Sequence, residues 1–284
     1  MTRAAAAAAE TALGGVAVHV RPHAYATSHE LVDVDVEVGG VVVATVVKET
    51  VRRLPARPSF MQRRAREPEV YRRLLHPAGI WAPKLLGIVG PYLVLERVHG
   101  EPAWQHDTKA IAARLGGVVR ALHDALARSS ESGFLPAHDR RYYDRWFRRA
   151  AAAFPSVRRL REAHEQATAL LLRRPLLVVH GELYPSNVLV RGEDVLAVDW
   201  ESAALGPAAV DVAALTTGWR QDEVALFLAA YGGLDQSALD AARLHLALRW
   251  LGWSSGWTPP LDHRRDWHLE AHVAASSIAR RIAA

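Results

Sequence analysis

The first third of the chain alternates apolar and polar positions. Val32, Val34, Val36 and Val38 are separated by Asp33, Asp35 and Glu37, the two-residue period of a strand with one buried face. Val16 to Arg21 alternates in the same way. Gly39-Gly40 then leads into the β-branched run Val41 to Val47, and two such runs joined by paired glycines predict a tight hairpin. A helix is expected from Glu67-Pro68, with proline in its first turn. Two more strands are expected at Leu85 to Val89 and Tyr92 to Glu96, turned by Gly90-Pro91.

After Gly100-Glu101-Pro102 the period changes. Ile111, Leu115, Val118, Val119, Leu122 and Leu126 recur at helical spacing. Further helices are expected over 141–153, 157–172, 207–216, 221–231, 236–252 and 266–282. One β insert interrupts them, with runs at 176–179, 188–190 and 195–198. The pattern predicts an α+β protein of two lobes. Residues 13–97 form a small β-rich N-lobe, residues 98–284 a larger, mainly helical C-lobe, and 96–102 the hinge. The alanine run between Arg3 and Glu10 lacks the leucine-rich centre of a secretion signal. Residues 1–12 are therefore expected to be a flexible extension.

Composition narrows the class. The chain has 284 residues, half of them hydrophobic, as in an ordinary globular protein. No apolar run approaches the ~20 residues of a membrane helix, so no membrane partner is expected. Cysteine is absent, which excludes disulfide and thiolate chemistry and fits the expected cytoplasmic location. The net charge is +5. Its arginines are scattered, with no basic tail and no aromatic-basic motif, so a solvated surface is expected rather than nucleic-acid binding. Lysine occurs only at positions 48, 84 and 109, which singles out places where a compact point charge serves better than a planar fork.

The densest chemistry lies in His180-Gly181-Glu182-Leu183-Tyr184-Pro185-Ser186-Asn187, between two apolar runs, and in Val198-Asp199-Trp200 at the end of the next strand. Polar groups between buried strands must be paired or put to use. If the hairpin pairs Arg191 with Val195, Asn187 falls opposite Asp199, and facing side chains ~5 Å apart can share a hard cation. Mg2+ takes one or two protein oxygens and completes its shell with water and phosphate. The carboxylate of Glu182, on the loop entering this hairpin, is placed to act as base on a substrate hydroxyl.

These motifs resemble the aminoglycoside phosphotransferase-like family, whose fold is that of the protein kinases. Residues 180–187 match its His-Gly-Asp-x-x-x-x-Asn loop, residues 199–200 its Asp-Trp metal motif, and Gly206-Pro207 with Asp211 lies downstream. One position departs, because Glu182 stands where the family carries aspartate. The resemblance implies Mg2+-dependent transfer of the γ-phosphate of ATP or GTP to a hydroxyl of a small metabolite or antibiotic. It implies Glu182 and Asp199 as catalytic residues, Asn187 and Asp199 as metal ligands, and His180 and Asp211 as braces of the loop. Lys48, ending Thr45-Val46-Val47-Lys48, matches the lysine that contacts the α- and β-phosphates. Its acidic partner is expected to be Glu67, which shares a helical face with Val70, Tyr71 and Leu74, rather than Glu69. Thr27 and Ser28 take the place of a phosphate-covering loop, and the backbone of Glu96 and Val98 is expected to read the purine edge.

The chain is expected to be a monomer or homodimer. Few residues separate Asp199 from the helix near Pro207, which leaves no long segment to present a peptide and argues against a protein kinase. The alternative is a nucleotide-binding pseudokinase with a regulatory or scaffolding role, in which Glu182 is too long to act. Trp250, Trp253, Trp257 and Trp267 serve as core or as an aromatic wall for the acceptor. The overall positive charge disfavours a polycationic acceptor, although Asp262, Asp266 and Glu270 could reverse the local field.

Overall fold

The structure is a computed structural model that describes residues 2–24, 31–50, 66–79, 81–254 and 265–283. The alternating runs form an antiparallel sheet of β1 (Val16–Pro22), β2 (Leu31–Val38), β3 (Val41–Glu49), β4 (Leu85–Val89) and β5 (Tyr92–Glu96), in the order β1-β2-β3-β5-β4. The turn at Gly39-Gly40 pairs Val38 with Val41, and both glycines take positive φ. Alternation then sends Val32, Val34, Val36 and Val47 to one face of the sheet and Asp33, Asp35 and Lys48 to the other.

Residues 2–12 correct the sequence reading. They are not an extension: Thr2–Leu13 is a helix, α1, whose Ala5, Ala8 and Ala9 are buried. These alanines pack with Val32, Val34, Val36, Val47 and Val94 and close the valine face of the sheet. Small side chains permit a close approach. A Cβ added at Gly87 of β4 would lie 2.7 Å from Cβ of Ala12.

The expected helix at Glu67 begins as α2 (Glu67–Val70), widens into a π-helical turn over Tyr71–Leu75 and closes as α3 (His76–Ala78). Val70, Tyr71, Leu74 and Leu75 are buried. A second sheet joins β6 (Glu101–Pro102), β8 (Val188–Arg191) and β9 (Asp194–Ala197). Its hairpin register differs by one residue from the expected one: Arg191 pairs with Asp194, and Val190 with Val195. A two-residue turn at Gly192-Glu193, with Gly192 at φ +58°, replaces the three-residue turn assumed from the sequence. The ladder ends at Val188 and Ala197. Asn187 closes the 3-10 turn Pro185–Asn187, and Asp199 has left the strand with φ +64°, so cross-strand pairing does not place these two side chains.

The chain divides into two compact units. Unit one is residues 1–102 with 188–202, so the β8–β9 hairpin groups with the N-terminal sheet; unit two is residues 103–187 with 203–284. The second unit is built from α4 (Thr108–Ala127), α5 (Arg140–Ala153), α6 (Arg161–Leu172), α7 (Ala209–Leu215), α8 (Gln221–Tyr231), α9 (Gln236–Ser254) and α10 (Trp267–Ala283). A two-stranded sheet of β7 (Leu177–Val179) and β10 (Ala204–Gly206) lies among them. Asp107 caps α4, its carboxylate accepting from the N–H of Lys109, and Asp139 caps α5 through Tyr142. Gly116 lets α4 touch α8, since a Cβ there would lie 2.3 Å from the carbonyl oxygen of Phe227. The α9 helix is buried almost all round, including Leu244, Ala247, Leu248, Leu251 and the charged Arg249.

Candidate functional site

Two constellations, one in each unit, gather the candidate residues. In the first, β3 carries Lys48 on the charged face of the sheet, where it is buried. Its Nζ lies 2.6 Å from Oε2 of Glu67 on α2 and 2.5 Å from Oδ1 of Asp199. Glu69 turns outward and pairs with Arg72. Burial disfavours a charged lysine, but the carboxylates of Asp199, Glu67 and Glu201 outweigh it and hold the ammonium protonated well beyond the usual lysine range. Burial pushes the carboxyl of Glu67 up, with Lys48 opposing that shift. The other oxygen of Glu67, Oε1, accepts the backbone N–H of Trp200 at 3.0 Å. Trp200 is fully buried and anchors the segment that carries Asp199.

This arrangement has a surplus of negative charge. One ammonium faces Glu67, Asp199 and Glu201, which suits a further cation held by oxygen donors. Among the described residues no group of three or more His, Cys, Asp or Glu side chains is placed to hold a metal.

The second constellation is the loop 180–187. Asp211 of α7 is fully buried and accepts the N–H of His180 at 2.7 Å and of Gly181 at 2.8 Å, while facing Nε2 of His123 at 3.2 Å. Burial raises its pKa, but the hydrogen bond and charge of His123, with the charge and N–H of His180, bring it below the usual carboxylate range. Nδ2 of Asn187 donates to the carbonyl of Glu182 at 2.9 Å, so the amide nitrogen is committed and the amide oxygen is the end that can serve as a ligand. The carboxylate of Glu182 meets the guanidinium of Arg249 through Oε1 and Nη2. Arg249 also donates from Nη1 to the carbonyl of Gly181 at 2.5 Å.

Arg249 was not singled out from sequence. It reads as a snorkelling arginine in an apolar helix, and the one signal was a charge on a stretch with no wet face. Beside it, Tyr184 tilts against Trp250 at 5.4 Å, Trp250 stacks on Trp267 at 5.2 Å, and Trp146 stacks on Trp253 at 5.7 Å. Three of the four expected tryptophans therefore make ring contacts, Trp250 and Trp267 with Tyr184 in one set and Trp253 with Trp146 in another. Trp257 and Asp262 lie outside the described residues. His268 packs edge-on against Phe154.

At the end of β5, the N–H of Glu96 donates to the carbonyl of Lys84 at 2.9 Å, so a base contact from Glu96 would fall to its own carbonyl. The N–H of Arg97 donates to Ala44 at 3.0 Å, and its guanidinium lies 2.7 Å from Asp35 on β2, tying the segment before Val98 to the sheet. Thr27 and Ser28 lie outside the described residues. No helix among the described residues is long and apolar enough to cross a membrane.

Residues 40–246 match the model of the Phosphotransferase enzyme family. Solved structures share the fold. A protein described as a candidate fructosamine-3-kinase from Thermobifida fusca YX-ER1 superposes with TM-score 0.68 at 19% identity, over 97% of this chain and 98% of that one. A macrolide 2'-phosphotransferase from Brachybacterium faecium gives 0.63 at 19% identity, over 95% of each chain. A spectinomycin phosphotransferase, solved with ADP and spectinomycin, gives 0.62 at 14% identity, over 98% of this chain and 94% of that one. No curated protein sequence matches the chain.

Proposed function

This chain belongs to the phosphotransferase enzyme family and has its two-lobed protein-kinase-like fold; from that membership we propose that it transfers the γ-phosphate of ATP or GTP to a hydroxyl of a small molecule, with Mg2+. The observation that carries the reading is Lys48, a buried lysine shared between Glu67 and Asp199. A lysine with no task at a strand end would snorkel to water. Here it is the point charge suited to nucleotide phosphates, with a helix glutamate to orient it.

Asp199 and the amide oxygen of Asn187 would hold the Mg2+, which when bound neutralises charge on the phosphates. Glu182 would accept the acceptor hydroxyl and draw its proton, and the carbonyl of Glu96 with the N–H of Val98 would read the base. Thr27 and Ser28 would cover the phosphates. The neighbours named above carry the names of different acceptors: fructosamine, macrolide and spectinomycin. The acceptor is a small hydroxyl compound.

The test is a panel of natural-product antibiotics, sugars and amino alcohols incubated with ATP or GTP and Mg2+, read by mass for the gain of one phosphoryl group. A phosphorylated product supports the reading. A protein that binds nucleotide and phosphorylates none of the panel is a pseudokinase instead.

A further inference from the structure

The loop 180–187 is held from two sides by groups of opposite charge. On one side the Asp211 carboxylate takes the N–H groups of His180 and Gly181. On the other the guanidinium of Arg249 takes the carbonyl of Gly181 and the side chain of Glu182. Gly181 sits at φ +79°, a conformation that a side chain would oppose. It turns one peptide N–H toward the carboxylate and its carbonyl toward the guanidinium.

We propose that Arg249 is a positioning residue for phosphoryl transfer, fixing the carboxylate of Glu182 in the plane from which it meets the acceptor hydroxyl. The proposal rests on the functional reading above. Its physical basis is the cost and geometry of the contact. Arg249 is buried on α9, its guanidinium 5.7 Å from the ring of Trp146, where an apolar side chain would pack without desolvating a charge. A buried ion pair is commonly no more stabilising than apolar residues of the same volume, so its value lies in what it orients. A planar guanidinium can grip a backbone carbonyl and a carboxylate at once, and lysine cannot reproduce that fork. Glutamate has one more rotatable bond than aspartate, and the pair of Oε1 with Nη2 restricts that freedom. Arg249 touches no reacting atom in this scheme. It acts through Glu182, and misplacing such a group by about 1 Å can cost on the order of a hundredfold in rate.

The experiment compares wild type, Arg249→Lys, Arg249→Met, Glu182→Gln and the double variant Arg249→Met/Glu182→Gln, using the acceptor identified by the panel. Arg249→Met is expected to lower kcat by about tenfold or more, with KM for nucleotide within about twofold. Arg249→Lys should recover part of the loss. In the Glu182→Gln background, Arg249→Met should cost less than about twofold, because the two residues act as one unit. Wild-type kcat in Arg249→Met, or losses that multiply independently, overturns the proposal. If Arg249→Met fails to fold, Arg249→Lys decides: wild-type kcat there overturns it. Amide exchange of residues 180–187 supplies a readout that needs no turnover. Faster exchange of this loop in Arg249→Lys, with α4 unchanged, supports the clamp, and unchanged exchange overturns it. If the wild type phosphorylates no acceptor, the functional reading falls on its own, and the exchange result still decides whether Arg249 holds the loop.

Discussion

The ammonium of Lys48 lies 2.6 Å from the carboxylate of Glu67, and both groups are almost wholly shielded from water. This contact joins β3 to α2, the elements that carry them. Removing Lys48 leaves Glu67 buried without its counter-charge, which typically costs about 3–5 kcal/mol, whereas removing Glu67 leaves Lys48 paired with Asp199 and costs less. Lys48→Met and Glu67→Gln are each expected to lower the thermal midpoint, and Lys48→Met to lose nucleotide affinity as well. Lys48→Arg is not conservative, since a guanidinium needs more room than the space between Glu67 and Asp199 gives. Scanning calorimetry and nucleotide titration check this; wild-type values for both in Lys48→Arg would reduce Lys48 to a strand-end residue.

The first strands were legible because β-branched alternation and glycine turns act locally. Leu85–Val89 and Tyr92–Glu96 appear at the expected residues. Glu67 was separable from Glu69 because helical spacing alone sets which acid faces inward. What failed was decided by tertiary context. The α1 helix carries Ala5, Ala8, Ala9 and Ala12 on one face, but an alanine run has no polar contrast to reveal that face until the valines of the sheet cover it. The hairpin register depended on a one-residue choice of turn. Arg249 was invisible because its partners, Gly181 and Glu182, lie far away in sequence.

That alanine face gives a second prediction. Ala9 is fully buried against the sheet. Ala9→Asp would bury a carboxylate without a partner, and an unpaired buried polar group costs at least about 1–3 kcal/mol, more when charged. The variant should unfold at lower urea concentration, with nucleotide affinity retained wherever it remains folded. An unchanged urea midpoint would show that α1 does not pack as described.

Acid stability follows from two histidines. Burial depresses His245 well below the usual imidazole range, reinforced by the charges of His138, Arg249, His164 and Arg145. Burial also lowers His164, with Asp144 opposing. A histidine whose folded form resists protonation costs nothing above pH ~6.5, where the unfolded chain is neutral too. Below that value the unfolded state takes up protons that the folded state refuses, so stability falls as pH falls. Each such group contributes up to about 1.4 kcal/mol per pH unit until its folded-state pKa is reached. Thermal midpoints measured downward from pH 7 should therefore decline below pH ~6.5, and His245→Phe should flatten the slope. A wild-type slope in His245→Phe would contradict it.

Asp211→Asn should loosen the loop rather than abolish the fold. The amide keeps the shape, but one of its ends is a donor facing the N–H groups of His180 and Gly181. Buried hydrogen bonds to charged groups are worth about 1.5–3 kcal/mol. Faster amide exchange at residues 180–187 is expected, together with a lower rate of phosphoryl transfer.

The most direct test of the central claim follows γ-labelled nucleotide in the presence of Mg2+ and an acceptor, for wild type and Asp199→Asn side by side. Under the proposed function the carboxylate of Asp199 would hold the metal, and the amide keeps its size without its charge. The account predicts label on an acceptor hydroxyl with wild type, and loss of transfer in a folded Asp199→Asn variant. Transfer at the wild-type rate by Asp199→Asn would contradict it.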